Sequence, residues 1–124
     1  MVAQYCRVVK RGQATGVYEM SMIDNAGNKA FGQIAPKFAQ LSDEVLFSDI
    51  WQRSELPARE RSLITVAALV ALNRKEQLSF HLPFALENGV SLEELTETIT
   101  HLAFYAGWPV AATALQVLAT LPTN

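Results

Sequence analysis

The chain has 124 residues and is 50% hydrophobic but only 18% charged, with 10 Lys and Arg against 12 Asp and Glu. Its basic residues form no cluster larger than the pairs Lys10-Arg11 and Arg74-Lys75, which argues against nucleic acid as a partner. The longest apolar stretch, residues 63–72, is shorter than the ~20 residues that cross a bilayer. The N-terminus lacks the basic-then-apolar pattern of a signal peptide. We therefore expect a cytoplasmic protein without a membrane partner.

The first 30 residues differ in character from the rest of the chain. Three glycines interrupt them, and Tyr18, Met20 and Met22 alternate with polar residues. An alternation of this kind is typical of extended backbone. It predicts an N-terminal arm over residues 1–30, extended or a short β-strand, ahead of a helical domain over residues 31–124.

The apolar period becomes helical from Pro36, with Phe38, Leu41, Val45 and Leu46 forming one stripe. The next helix is predicted to begin near Pro57. It runs through residues 63–72 with almost no polar side chain. A helix that is apolar all round is expected to be buried on all sides.

A third helix follows Asn73 and places Leu78, His81, Leu82 and Ala85 at spacings of three and four, ending at Gly89. Pro83 lies inside this pattern. A proline in a helix interior removes one backbone donor and costs roughly 3 kcal/mol, so we expect a bend beside His81 that could form the wall of a pocket.

The fourth helix has the clearest start in the chain. Ser91 and Glu94 have the spacing of a capping box, and Val90 and Leu95 have that of a hydrophobic staple. Gly107 is predicted to end this helix, and Pro109 to open the last one. Together the patterns predict an all-α bundle of about five to six helices.

His81 is one of only two histidines in the chain. An imidazole on an apolar helix stripe is either a core side chain bonded to a backbone carbonyl or the centre of a functional site. The same two interpretations apply to Arg59, Arg61 and Glu76, as ion pairs or as site residues. The aromatic residues Trp51, Tyr105 and Trp108 could likewise be packing anchors or pocket walls.

Several of these segments together resemble one known family. They are Trp51 with Arg53, the RxRSL segment at 59–63, the HxxxALxxG segment at 81–89 and the YAGxP segment at 105–109. Over about residues 36–118 the chain closely resembles the carboxymuconolactone decarboxylase family. The resemblance implies the all-α fold of the alkylhydroperoxidase-D proteins and assembly into homotrimers or homohexamers. A homo-oligomer also fits the charged fraction, which is low for a monomer.

The thiol chemistry of the related peroxidases is excluded by this sequence. In that branch of the family, a Cys-x-x-Cys pair precedes the family histidine by seven and four residues, and here those positions hold Arg74 and Gln77. One thiol attacks the peroxide and the other resolves the product, so both are needed. The lone Cys6 cannot form such a pair within one chain. An antioxidant of the peroxiredoxin type would therefore have to use Cys6 between subunits.

The decarboxylase branch implies a lyase that removes carbon dioxide from a small cyclic carboxylate without a cofactor or a metal. Such a reaction needs a cation to hold the substrate, apolar surroundings and an acid to protonate the carbon. We assign His81 as the general acid, Glu76 as the residue that orients it, and Arg59 and Arg61 as carboxylate-binding residues. Trp51, Tyr105 and Trp108 complete the predicted substrate-binding set.

The chain also departs from the decarboxylase pattern. Recognisable decarboxylases carry an acid at the position of Gln77 and arginines at those of Ser79 and Pro83. Losing basic groups beside the histidine argues against a substrate with three carboxylates. A binding module without catalytic activity is the remaining alternative, and a fully packed His81 would favour it.

Overall fold

A computed structural model describes residues 22–122 of the chain. Every regular element in that range is helical, which confirms the predicted all-α fold. Residues 1–21, including Cys6 and most of the predicted arm, lie outside the described residues. The six α-helices within residues 22–122 are α1 (Ala26–Phe31), α2 (Pro36–Leu41), α3 (Ala58–Ala71), α4 (Lys75–Glu87), α5 (Leu92–Leu102) and α6 (Trp108–Ala119). A π-helical turn, Ser42–Phe47, continues α2, and a 3₁₀ turn, Ile50–Gln52, follows it.

The chain divides into two compact units, Met1–Glu55 and Leu56–Asn124. In the first unit a buried carboxylate joins α1 to the helical segment after α2. Asp43 accepts hydrogen bonds from the backbone amides of Gly27, at 2.7 Å, and Asn28, at 3.0 Å. These amides lie in the first turn of α1, where no helical carbonyl is available to them. A β-carbon at Gly27 would lie 2.6 Å from the carbonyl oxygen of Ala39, so glycine permits the close approach of the two helices.

The apolar stripe predicted from Pro36 onward exists, but it faces outward. Phe38, Leu41 and Val45 are 55%, 45% and 46% exposed, whereas Ala39 and Asp43 are buried on the opposite face. The reason is the Asp43 carboxylate, which can reach the α1 amides only if its own face turns inward. The unit therefore exposes this stripe, although Phe47 and Trp51 of the same unit are buried.

In the second unit, α3 and α4 form a helical hairpin that packs with α5 and α6. Their buried aliphatic side chains form one core, which includes Val66, Val70, Leu78, Leu82, Ala85, Leu95, Ile99 and Ala114. The prediction that α3 is buried on all sides was wrong. Ile64 and Leu72 are 58% and 64% exposed, because α4, α5 and α6 leave part of the α3 surface uncovered.

The helix boundaries follow most of the predicted signals. Helix α3 begins directly after Pro57, and Gly89 has a φ of 101°, in the left-handed region that follows α4. Pro83 lies inside α4, as predicted. Gly107 was assigned wrongly as the end of α5: that helix ends at Leu102, and Gly107, with a φ of 116°, immediately precedes α6. No helix in residues 22–122 has the length and apolar character of a membrane span.

The capping box at the start of α5 is confirmed. The Ser91 hydroxyl accepts from the Glu94 amide at 3.0 Å, and the Glu94 carboxylate accepts from the Ser91 amide at 2.9 Å. Replacing Ser91 with alanine leaves a helix amide without its acceptor, so we expect a loss of about 1 kcal/mol in unfolding free energy. Urea denaturation measures it. Thr96→Ala, on the same helix but away from its end, is the matched control, and equal losses in the two variants would contradict a capping role.

Candidate active site around His81

His81 lies on α4 beside the buried stripe formed by Leu78, Leu82 and Ala85. Its ring is partly buried, and its Nδ1 atom is withdrawn from solvent. Two aromatic rings of the same helix adjoin it edge-on: the Phe80 centroid lies 5.0 Å away and the Phe84 centroid 6.1 Å away. The imidazole therefore lies at the margin of the core, beside two aromatic rings.

Burial changes the acid–base chemistry of this ring. Removal of water from around the imidazole lowers the pKa of His81 from 6.5 to about 4. Desolvation penalises the charged form of a histidine, so the sign of the shift follows from the apolar surroundings. At neutral pH the free protein therefore carries His81 as a neutral imidazole, rather than near its titration midpoint as an unperturbed histidine would be.

A polar pair joins α3 to the residue that follows α4. The Nδ2 group of Asn88 donates to the hydroxyl of Ser62 at 3.0 Å, and Ser62 is completely buried. Sequence reasoning missed Asn88, because an asparagine directly after a helix is read as a stop signal.

Arg59, predicted to bind a carboxylate, lies in the first turn of α3 between two acidic residues. One guanidinium nitrogen is hydrogen-bonded to the Glu94 carboxylate on α5, and another lies 3.4 Å from Glu60. The hydrogen bond from the Ser91 amide and the neighbouring Arg59 lower the pKa of Glu94. The Nε group of Arg61 donates to the carbonyl of Leu56 at 2.9 Å, which holds that side chain against the start of α3.

A groove of about 480 Å³ lies between α3 and α5. Aliphatic side chains and polar groups both line it: Arg59, Leu63, Ala67, Glu94, Glu97, Thr98, His101 and Leu102. Of the predicted site residues, only Arg59 belongs to this lining. Two carboxylates and one arginine give the groove a net negative charge. A carboxylate ligand would therefore find a favourable charge only beside Arg59.

The other predicted residues lie in separate places. Glu76 is exposed in the first turn of α4, five residues before His81. Tyr105 and Trp108 are 78% and 68% exposed around the connection between α5 and α6. Tyr105 packs on the ring of His101 at 4.9 Å. Trp51 belongs to the first unit, where it is buried with its ring 6.3 Å from that of Phe47.

No group of three or more His, Cys, Asp or Glu side chains in residues 22–122 is arranged to hold a metal ion. The predicted reacting groups in this part of the chain are the partly buried imidazole, the arginines of α3 and the carboxylates beside them. These can bind an anion and transfer a proton.

Comparison with known proteins supplies the family. Residues 36–120 match the model of the carboxymuconolactone decarboxylase family. The chain is 37% identical over 93 residues to 4-carboxymuconolactone decarboxylase of Acinetobacter baylyi, an alignment that covers 75% of this chain and 64% of that protein. It is 32% identical over 78 residues to nitrosuccinic acid decarboxylase npaB of Metarhizium robertsii, covering 63% of this chain and 54% of that protein. The chain thus spans less than two thirds of the length of either relative.

Proposed function

The chain belongs to the carboxymuconolactone decarboxylase family, and from this premise we propose that it is a cofactor-free lyase that removes carbon dioxide from a small carboxylate. The observation that carries the proposal is the His81 imidazole, partly buried against aromatic rings with its pKa lowered to about 4. Two relatives whose names describe decarboxylases support the reaction class.

In the proposed reaction the bond between the carboxylate carbon and its neighbour breaks. The carboxylate leaves as carbon dioxide, the bonding electrons stay on the neighbouring carbon or its conjugated system, and one proton replaces the lost group. Apolar surroundings favour this step because the ionised carboxylate becomes a neutral gas. His81 is the proposed proton donor, because its imidazole ring is already partly removed from water.

A donor with a lowered pKa must first gain a proton. The negative charge of a bound carboxylate favours the imidazolium form and so raises the pKa of His81 again. We propose that substrate and proton bind together, with the substrate charge compensating for the missing water. Glu76, if it reaches His81 from a neighbouring subunit, would act in the same direction.

Arg59 and Arg61 are the proposed carboxylate-binding residues. Arg59 already engages Glu94 and Glu60, so binding through it exchanges a protein carboxylate for a substrate carboxylate. Tyr105 and Trp108 would contact a substrate in a homotrimer or homohexamer that covers this surface, and Trp51 remains a proposed substrate-binding residue. Ser79 and Pro83 replace the arginines of recognisable decarboxylases, which favours a substrate with fewer than three carboxylates.

The direct test is carbon dioxide release by the purified full chain. Nitrosuccinic acid and 4-carboxymuconolactone, the substrates named for the two relatives, are the first compounds to assay. We expect turnover of a small carboxylate without added metal or cofactor. Binding of both compounds by calorimetry without any carbon dioxide release would instead support a non-catalytic binding module.

The pH dependence distinguishes a general acid from a neutral imidazole. At pH 7 about one free molecule in a thousand carries a protonated His81, given its pKa of about 4. If the protonated form reacts, kcat/KM should fall roughly tenfold per pH unit above pH 4, whereas kcat should hold to higher pH because the bound carboxylate raises the pKa. Initial rates between pH 4.5 and 8 measure both. A kcat/KM that is flat across this range would rule out the general-acid role.

A further inference from the structure

The exposed apolar stripe of the first unit has no role in the proposed reaction. Phe38, Leu41 and Val45 share one face of α2 and its π-helical continuation, and each is close to half exposed. We call these three residues the α2 stripe. Ile34, 85% exposed, and Phe31, which packs edge-on against Phe38 at 4.9 Å, extend the apolar surface at one end. Contiguous apolar surfaces on folded proteins are characteristic of sites that contact other molecules.

A row of polar side chains runs along one side of the α2 stripe. Lys37 donates to Gln40 at 3.3 Å, and Gln40 donates to Glu44 at 3.2 Å, all three being exposed. Lys37, at the positive end of this row, and Glu44, at its negative end, are seven residues apart, the length of one heptad. Leu41 lies close to the midpoint of the stripe and of the polar row.

From this arrangement we propose that the α2 stripe binds the same stripe of a second copy of the chain, antiparallel and about a two-fold axis near Leu41. A two-fold axis perpendicular to two antiparallel helices keeps their flanking rows on the same side and reverses their direction. Lys37 of each copy then faces Glu44 of the other, twice per contact. Phe38 faces Val45 in the same register, and the two Leu41 side chains meet at the axis.

The charges select this pairing over the alternatives. In a parallel pairing about a two-fold axis along the helices, the polar rows of the two copies lie on opposite sides of the contact, so Lys37 of one copy does not meet Glu44 of the other. Burial of the stripe supplies the attraction, while the ends of the polar row set the direction. The low charged fraction of the chain, 18%, agrees with a surface that is covered in the assembled protein.

The inference goes beyond the lyase proposal and does not depend on it. It bears on the assembly, because a ring of three subunits contains no two-fold axis, whereas a hexamer built from two such rings contains three. An antiparallel α2 contact therefore favours the homohexamer over the homotrimer.

A charge-swap experiment on the full chain tests the proposal. Lys37→Glu and Glu44→Lys, made singly, each create two like-charged pairs per contact. Each should therefore raise the dissociation constant of the assembly roughly tenfold, so that dissociation begins at a roughly tenfold higher protein concentration. The double variant K37E/E44K restores opposite charges across the axis and should recover the original constant. Sedimentation velocity over a range of concentrations measures all three.

Two further variants separate the contact from general effects of charge. Lys29→Glu makes the same charge change on α1 of the same unit and should leave the particle mass unchanged. Leu41→Glu places two carboxylates at the axis and should halve the mass, with helicity by circular dichroism retained because Leu41 is already exposed. The proposal is overturned if the wild-type chain is a monomer, if the single variants keep the wild-type constant, or if the double variant is no tighter than the singles.

Discussion

Replacing His81 with glutamine is expected to lower kcat/KM for decarboxylation by about 100- to 10,000-fold, the usual contribution of a positioned proton donor. Glutamine can still hydrogen-bond, but it has no proton to transfer at any pH in the working range. The loss should therefore appear mainly in kcat, with a smaller change in KM. Rates of carbon dioxide release at saturating and at low substrate concentrations measure the two parameters separately.

The same variant should remain folded at neutral pH. His81 is only partly buried, so a glutamine of similar size should leave the melting temperature within a few degrees of the wild type. Lys75→Gln, an exposed change on the same helix, is the matched control and should affect neither property. A large fall in melting temperature with activity retained would assign His81 to packing instead.

Acid destabilisation adds an independent signature of the buried imidazole. The pKa of His81 is about 4 in the folded chain and 6.5 without burial, so between these values the unfolded state binds more protons than the folded one. The contribution of His81 to stability is therefore complete above pH 6.5 and is lost as the pH falls toward 4. His81→Gln should lack this part of the pH dependence when melting temperatures are compared from pH 7 to pH 4.

The helix starts were predictable because their signals act over a few residues. Pro36, Pro57 and Ser91 each act within the first turn of the helix that follows them, through a fixed φ or a capping hydrogen bond. The orientation of α2 was not predictable in this way. It depends on Asp43 reaching the amides of Gly27 and Asn28, and a period of three and four does not say which face turns inward.

In the candidate site, too, the features set by nearby residues were predictable and those set by long-range contacts were not. The place of His81 beside an apolar stripe follows from its spacing to Leu78, Leu82 and Ala85. The contacts that determine what surrounds the site join distant residues: Arg59 with Glu94 lies 35 positions apart, and Ser62 with Asn88 lies 26 apart. Only the packing of α3 against α4 and α5 brings these side chains together. The family resemblance therefore pointed to the histidine but could not predict which residues surround it.

Replacing Phe84 with alanine is expected to have the largest effect on stability among the residues that adjoin His81. Phe84 is completely buried, with its ring 5.6 Å from Phe80 and 6.1 Å from His81. Deleting a buried phenylalanine ring costs about 3–5 kcal/mol, because it removes the apolar transfer energy and leaves a cavity. Urea denaturation at fixed protein concentration measures the loss, and Phe104→Ala, the same change at a residue that is 77% exposed, should cost far less.

The same cavity should change the chemistry of the imidazole, since desolvation is the cause of its lowered pKa. Water entering beside the ring would raise the pKa of His81 from about 4 toward 6.5. Proton NMR can follow this titration, because the chain contains only two histidines and His101→Gln identifies the second signal. Phe84→Leu keeps most of the buried volume and should fold even if the alanine variant does not, with a smaller shift in the same direction. An unchanged His81 titration in a folded Phe84 variant would show that this ring does not keep water from the imidazole.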